Sequence, residues 1–229
     1  MKNETQLFES GKLARRSFLR YAGAGIATAG VLAMGCHKDN PVTHTGIDIG
    51  IGDIGILNYA YALEQLEAAF YTQVASSPYS GISATETARL TDIRDHEVAH
   101  REFFKAALGT SNINVGSLTP DFSSINFADR TSVLGAAKAF EDLGVQAYNG
   151  AGYLIQSATY LTLAGEIVSV EARHASYIRD LISNGSFADN TILDANGMDQ
   201  SKAIKDVLPI ANTFLKTKVS ASNYGYVSA

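Results

Sequence analysis

Two stretches of this 229-residue chain place a glutamate and a histidine three residues apart: Glu97 and His100 in "DHEVAHREFF", and Glu171 and His174 in "VEARHASYIRDL". Each pair lies on a stripe of apolar residues at helical spacing. Leu90, Ile93, Phe104 and Leu108 share the first stripe; Tyr160, Ala164, Ile167, Ile178 and Leu181 share the second. Both pairs are therefore expected to face a core. Two further stripes hold one carboxylate each, Glu64 among Leu57, Tyr61, Ala68 and Tyr71, and Glu141 among Leu134, Ala137, Gly144, Tyr148 and Ala151. In both, a tyrosine follows the glutamate by seven residues. The chain thus repeats one unit, Glu-x6-Tyr then Glu-x-x-His, with 33 residues from Glu64 to Glu97 and 30 from Glu141 to Glu171. Random placement of ten glutamates and five histidines over this length gives roughly 0.2 Glu-x-x-His pairs. Two on matching stripes exceed that by an order of magnitude.

Four carboxylates on apolar seams repel one another and lose hydration, at several kcal/mol each. Two divalent cations would supply the four positive charges that offset them. Residues three apart on a helix lie about 5 to 6 Å from one another, close enough to serve one dinuclear centre. Oxygen and imidazole donors without sulfur suit iron or manganese, with zinc a further occupant in vitro. Glu67, one turn from Glu64, competes with it for the first-helix role; Glu64 is preferred because it alone makes the Glu-x6-Tyr match, which leaves Glu67 beside the ligands or at the surface. Tyr71 and Tyr148 are either plain core aromatics or phenols that bond a metal-bound glutamate of the opposite hairpin and orient it. His96 sits one residue off its seam and reads as exposed or hydrogen-bonded rather than ligating. His37 and His44 read as solvated, and Glu102 and Glu166 as facing water.

Four helical segments position these residues, at about 54–76, 83–108, 129–156 and 159–183. Ser76-Ser77-Pro78 closes the first, Ser83 or Thr85 caps the second, Gly109 closes it, and Asn184-Gly185 ends the fourth. The joint near Gln156 to Thr159 contains neither proline nor glycine. Short connections make the first and last pairs antiparallel hairpins. The link over 109–128 is far longer. Helices of this size span about 35 Å, and a roughly 20-residue link stretches to about 60 Å, enough to traverse the bundle. The expected fold is therefore all-α, a ferritin-like four-helix bundle with a long crossover between its second and third helices. Residues 36–53, rich in Gly, Asp and Thr, read as a flexible tether, and 184–229 as a C-terminal extension with one short helix, whose continuation Pro209 restricts, and a frayed tail.

The stretches "LNYAYALEQLEAAFY", "DHEVAHREFF", "AFEDLGVQAYNGAGYL" and "VEARHASYIRDL" resemble the ferritin-like superfamily, and more closely the ferritin-like domain family that includes desiccation-related proteins. The likeness covers about 130 residues, 54–183. It implies a dimetal carboxylate site formed by Glu64, Glu97, His100, Glu141, Glu171 and His174, the ligand set known for di-iron bundles. It also implies oxidoreductase chemistry on dioxygen, peroxide or ferrous iron: ferroxidase, peroxidase or catalase-like. Rubrerythrin-type relatives carry a Cys-x-x-Cys iron domain as electron relay. Here Cys36 is the single cysteine, so reductase chemistry would need an external donor. The competing reading is a stress-related envelope protein whose metals are structural or absent.

The N-terminus carries its own signal. Arg15-Arg16, Phe18-Leu19 and the Ala/Gly run to Gly35 resemble a twin-arginine export signal over residues 1–35, against an ordinary amphipathic helix. Tyr21 to Gly35 is too short for a membrane span of about 20 residues. Cys36 follows directly, where a lipoprotein peptidase would cut and a lipid would attach, although Ala33 and Met34 depart from the usual lipobox; simple secretion is the alternative. These features point to the periplasm or cell envelope, with a membrane anchor through Cys36 if it is lipidated. Such a tether disfavours a closed storage shell and is compatible with a homodimer. The net charge of −5 becomes −8 once the first 35 residues, with five basic and two acidic groups, are set aside. Nucleic acid is not an expected partner.

Overall fold

The computed structural model describes residues 46–228. The expected export signal, Cys36 and the first part of the expected tether lie outside these residues. Four long helices form the body: α1 Gly52–Ser76, α2 Ala84–Asn112, α3 Arg130–Ala151 and α4 Ala158–Ile182. The shorter α5, Ile204–Ala211, follows, and a two-stranded sheet pairs β1, Ile47–Asp48, with β2, Val219–Ser220. Helix α1 is the spine of the core. Most of its residues are buried, including Leu57, Leu63, Leu66, Phe70 and Tyr71, because it packs against α2 along its length and against α3 on another side. No helix among the described residues is long and apolar enough to cross a membrane.

Local chemistry fixes the ends. Ser83 accepts a hydrogen bond from the Glu86 amide while the Glu86 carboxylate accepts from the Ser83 amide, a reciprocal cap on α2. Asp129 caps α3 through the Ser132 amide at 2.7 Å. Arg130, at the start of α3, reaches back to Glu86 at 2.6 Å and ties the starts of α2 and α3 together. Gly109, with its φ of 59°, interrupts α2 at its expected end, and helical turns resume beyond this kink to Asn112.

The crossover is seen directly in its hydrogen bonds. The Asn114 amide donates to the Asn58 side chain near the start of α1, the Leu118 amide to Gln65 midway, and the Ser80 amide to the Ala128 carbonyl beyond its end. The link therefore travels the length of α1, and this is the expected all-α, ferritin-like bundle with its crossover between the second and third helices.

Three boundaries differ from expectation. Helix α3 stops at Ala151, short of residue 156, and a single 3-10 turn, Gly152–Leu154, follows. The cause is tertiary: the Asp53 carboxylate on α1 accepts from the amides of Gln156 and Ser157 at 2.8 and 2.9 Å and holds the chain extended before α4. The expected flexible tether is fixed over its last residues, where β1 pairs in parallel with β2 in the register Ile47 to Val219 and Ile49 is fully buried. The expected frayed tail is packed too. Ala221 and Ser228 are buried, and the Ser228 amide donates to the Ser220 hydroxyl at 3.0 Å. Strand pairing between segments over 170 residues apart supplies the order that local composition lacks.

Candidate metal centre

Each of the four helices delivers its carboxylate to the same place. Glu64 from α1, Glu97 from α2, Glu141 from α3 and Glu171 from α4 are all fully buried. His100 and His174 stand one turn along from Glu97 and Glu171, so the three-residue spacing puts each imidazole beside its own helix's carboxylate. The nearest contacts nevertheless run between hairpins. His100 Nδ1 is 2.8 Å from Glu171, and His174 Nδ1 is 2.8 Å from Glu97. Longer approaches, from 3.4 to 3.8 Å, connect His100 to Glu64 and Glu97, and at 3.5 Å His174 meets Glu141 and Glu171.

The donor atoms form two cradles. Glu64, Glu97, His100 and Glu171 make one, and Glu97, Glu141, Glu171 and His174 the other; within each, one donor atom per residue lies within 4.8 Å of all the rest. Glu97 and Glu171 belong to both. Each group adds one further glutamate and one histidine to this shared pair, a donor set that could hold a metal ion in each cradle.

Orphaned polar atoms test whether cations fit. Tyr71 donates to Glu141 Oε1 at 2.5 Å and Tyr148 to Glu64 Oε1, so each phenol reaches the carboxylate of the other hairpin. The remaining oxygen of Glu64 and of Glu141, both oxygens of Glu97 and Glu171, and Nδ1 of both histidines have no hydrogen-bond partner among the described residues. Contacts of 2.8 Å exist, but they lack the alignment of a hydrogen bond. Eight buried donors aimed at shared points instead of at each other would cost several kcal/mol unsatisfied. Oxygen and imidazole donors in this number suit iron or manganese.

Without cations, protons take up the charge. Burial opposes ionisation of His100, yet Glu171, Glu64 and Glu97 outweigh it and push the imidazole up to about 12. His174 rises to about 12 likewise, burial being outweighed by Glu141, Glu171 and Glu97. Burial raises Glu97, with Glu171 adding to it, and burial also lifts Glu141 to about 7 against the pull of His174. Glu171 goes the other way: the two histidines overcome its burial and hold it at about 2.

Two residues complete the site from outside the cradles. His96 is exposed, as read from its seam, and its ring lies nearly parallel to that of His174, at 5.2 Å between centroids and 6° between planes. With Nδ1 of His174 turned to the carboxylates, its Nε2–H donates to His96 Nδ1 at 2.9 Å. Glu67 is buried rather than at the surface, and burial together with Glu97, Glu171, Glu64 and Glu141 raises its carboxyl well above the ordinary range. It stands where the repeat places Gly144 on α3: a Cβ on Gly144 would sit 2.9 Å from Glu67 Oε1. Aligning the two repeat units offers that signal, since Glu67 follows Glu64 as Gly144 follows Glu141. No spacing within α2 reveals the contact of His96, because its partner lies 78 residues away. Glu102 and Glu166 are exposed. His37 and His44 lie outside the described residues.

No curated protein matches the chain. The ferritin-like domain matches residues 52–184, the span that contains all four long helices and every donor above. The chain belongs to the ferritin-like domain family.

Proposed function

We propose that the chain holds two divalent transition metals, iron or manganese, in the paired cradles and acts as an oxidoreductase on dioxygen, peroxide or ferrous iron. The sharing of Glu97 and Glu171 between the two donor groups carries this reading. Bound there, the pair supplies two one-electron steps to one small oxidant. The protein's part is positional. Tyr71 and Tyr148 each occupy one oxygen of Glu141 and Glu64, leaving each glutamate a single oxygen for a cation. That restriction keeps coordination positions free for a small molecule. The apolar residues around the seams exclude water, and His96 provides a polar contact from the surface to His174.

Export belongs to the same proposal. The twin-arginine pattern describes a route for folded protein, which lets metal load before crossing, and Cys36 would then anchor the product by a lipid in the cell envelope. The test is elemental analysis of protein recovered through its own export route, joined to assays of peroxide consumption and ferrous oxidation. About two metal ions per chain are expected, with loss of both in a His100→Ala, His174→Ala double variant. A metal-free protein of equal stability would sink the proposal in favour of a structural bundle.

A further inference from the structure

Three large apolar side chains stand uncovered at one end of the bundle. Tyr153, on the turn after α3, is 80% exposed; Ile51, just before α1, is 71% exposed; Leu161, in the first turn of α4, is 48% exposed. They surround one joint. Asp53 accepts from the amides of Gln156 and Ser157, which brings the start of α1 against the link between Tyr153 and Leu161. Leu161 in turn reaches within 3.9 Å of where a Cβ on Gly152 would stand.

The charges beside this joint suit a membrane surface. The two carboxylates that flank Ile51 in sequence are both occupied by backbone amides: Asp48 accepts from Gly50 and Ser222, each at 2.8 Å, and Asp53 as above. Lys202, whose carbonyl lies against Gly150, and Lys205, whose stem lies near Gly225, stand at the same end. Ile182, Phe187 and Met198 are exposed too, but the segment that carries or adjoins them holds the exposed Asp194 and Asp199, which anionic headgroups repel. A tyrosine, with an apolar ring and a wet hydroxyl, favours the bilayer boundary. Three residues are too few for a stable protein interface, which takes about 20 to 30 on each side. A second tether removes that requirement. Gly46 lies five residues before Ile51 and ten after Cys36, so a lipid on Cys36 would hold the three side chains within about 50 Å of the bilayer and make a weak contact effective. We infer that Ile51, Tyr153 and Leu161 form a docking surface for a glycerophospholipid bilayer, seating the α3–α4 joint among the headgroups. The strength of this docking rests on the lipid anchor proposed above; the surface itself does not.

The chain has no tryptophan, so single reporters can be placed. Tyr153→Trp marks the joint, and Ile182→Trp, 43% exposed at the other end of α4, marks a point about 30 Å away. The exported full chain is reconstituted with vesicles of phosphatidylethanolamine and phosphatidylglycerol whose tails are brominated to quench tryptophan. The reporter at 153 should shift to the blue and be quenched at least about threefold more than the one at 182. Ile51→Ser with Leu161→Ser should bring quenching at 153 down to the level at 182. Equal quenching at both positions, stronger quenching at 182, or no effect of the serine pair would overturn the inference. So would a blue shift at 153 without vesicles in a chain that sediments as a dimer, which would make a second copy the occupant. Intact mass of the same sample reads the lipid separately. A chain without a diacylglyceryl group on Cys36 would overturn the anchor, and quenching confined to 153, then needing about tenfold more vesicle lipid, would still uphold the docking surface.

Discussion

His174 divides its two nitrogens between two tasks, Nδ1 for the carboxylates and Nε2–H for His96. Burial, followed by the positive charges of His174 and His100, lowers His96, so it stays neutral and accepts that hydrogen bond. His96→Ala should therefore loosen one ligand without touching the other cradle. The expected result is an anaerobic titration that splits, with one metal bound about 10 to 100-fold more weakly and the second unchanged. Equal weakening of both would assign His96 a merely structural part. The ligand seams were legible because a helix repeats its faces every three to four residues, which lets Glu97 and His100 be placed inward from spacing alone. His96 and Glu67 were not settled that way. Their roles depend on what the neighbouring helix presents, an imidazole for one and the bare Gly144 for the other.

Helix ends show the same division between local and distant information. Ser83, Asp129 and Gly109 act on the residues beside them and are readable in place. The end of α3 is decided by Asp53, over 100 residues earlier, which accepts the amides of Gln156 and Ser157. Asp53→Ala should free those amides at a cost of about 1 kcal/mol, seen as faster hydrogen exchange at residues 155–158 and a lower denaturation midpoint. The docking of the C-terminal extension offers a sterner test. A Cβ on Gly150 would lie 1.9 Å from the Lys202 carbonyl oxygen, and the Lys202 amide donates to the Gln146 carbonyl at 2.9 Å. Backbone cannot rotate away as a side chain end can. Gly150→Ala should cost about 2 kcal/mol or more, and limited proteolysis should then cut between α4 and α5 first. An unchanged cleavage pattern would show that the extension docks without this contact.

Across the whole molecule, the two hairpins build one centre whose charge must be balanced by cations or by protons. In the metal-free protein both histidines are raised from 6.5 to about 12, so the stability they contribute is complete below pH 6.5 and is lost progressively as the pH climbs toward 12. Glu97 and Glu67, raised above 4.5, act in the same direction and lose their contribution as the pH rises from there. Glu171, lowered to about 2, contributes above 4.5 and loses its share only as the pH falls toward 2. Above pH 6.5 the two histidines therefore make the metal-free fold less stable with rising pH. Cations reverse the trend, because each binds the deprotonated donors and gains affinity as protons leave. Metal at about 100 times its dissociation constant adds about 2.7 kcal/mol, and that increment should grow with pH. Melting temperatures measured with and without manganese across this range should diverge steadily. A gap that stays constant would mean that the ions bind without displacing the protons of His100 and His174, and hence somewhere other than between the four glutamates.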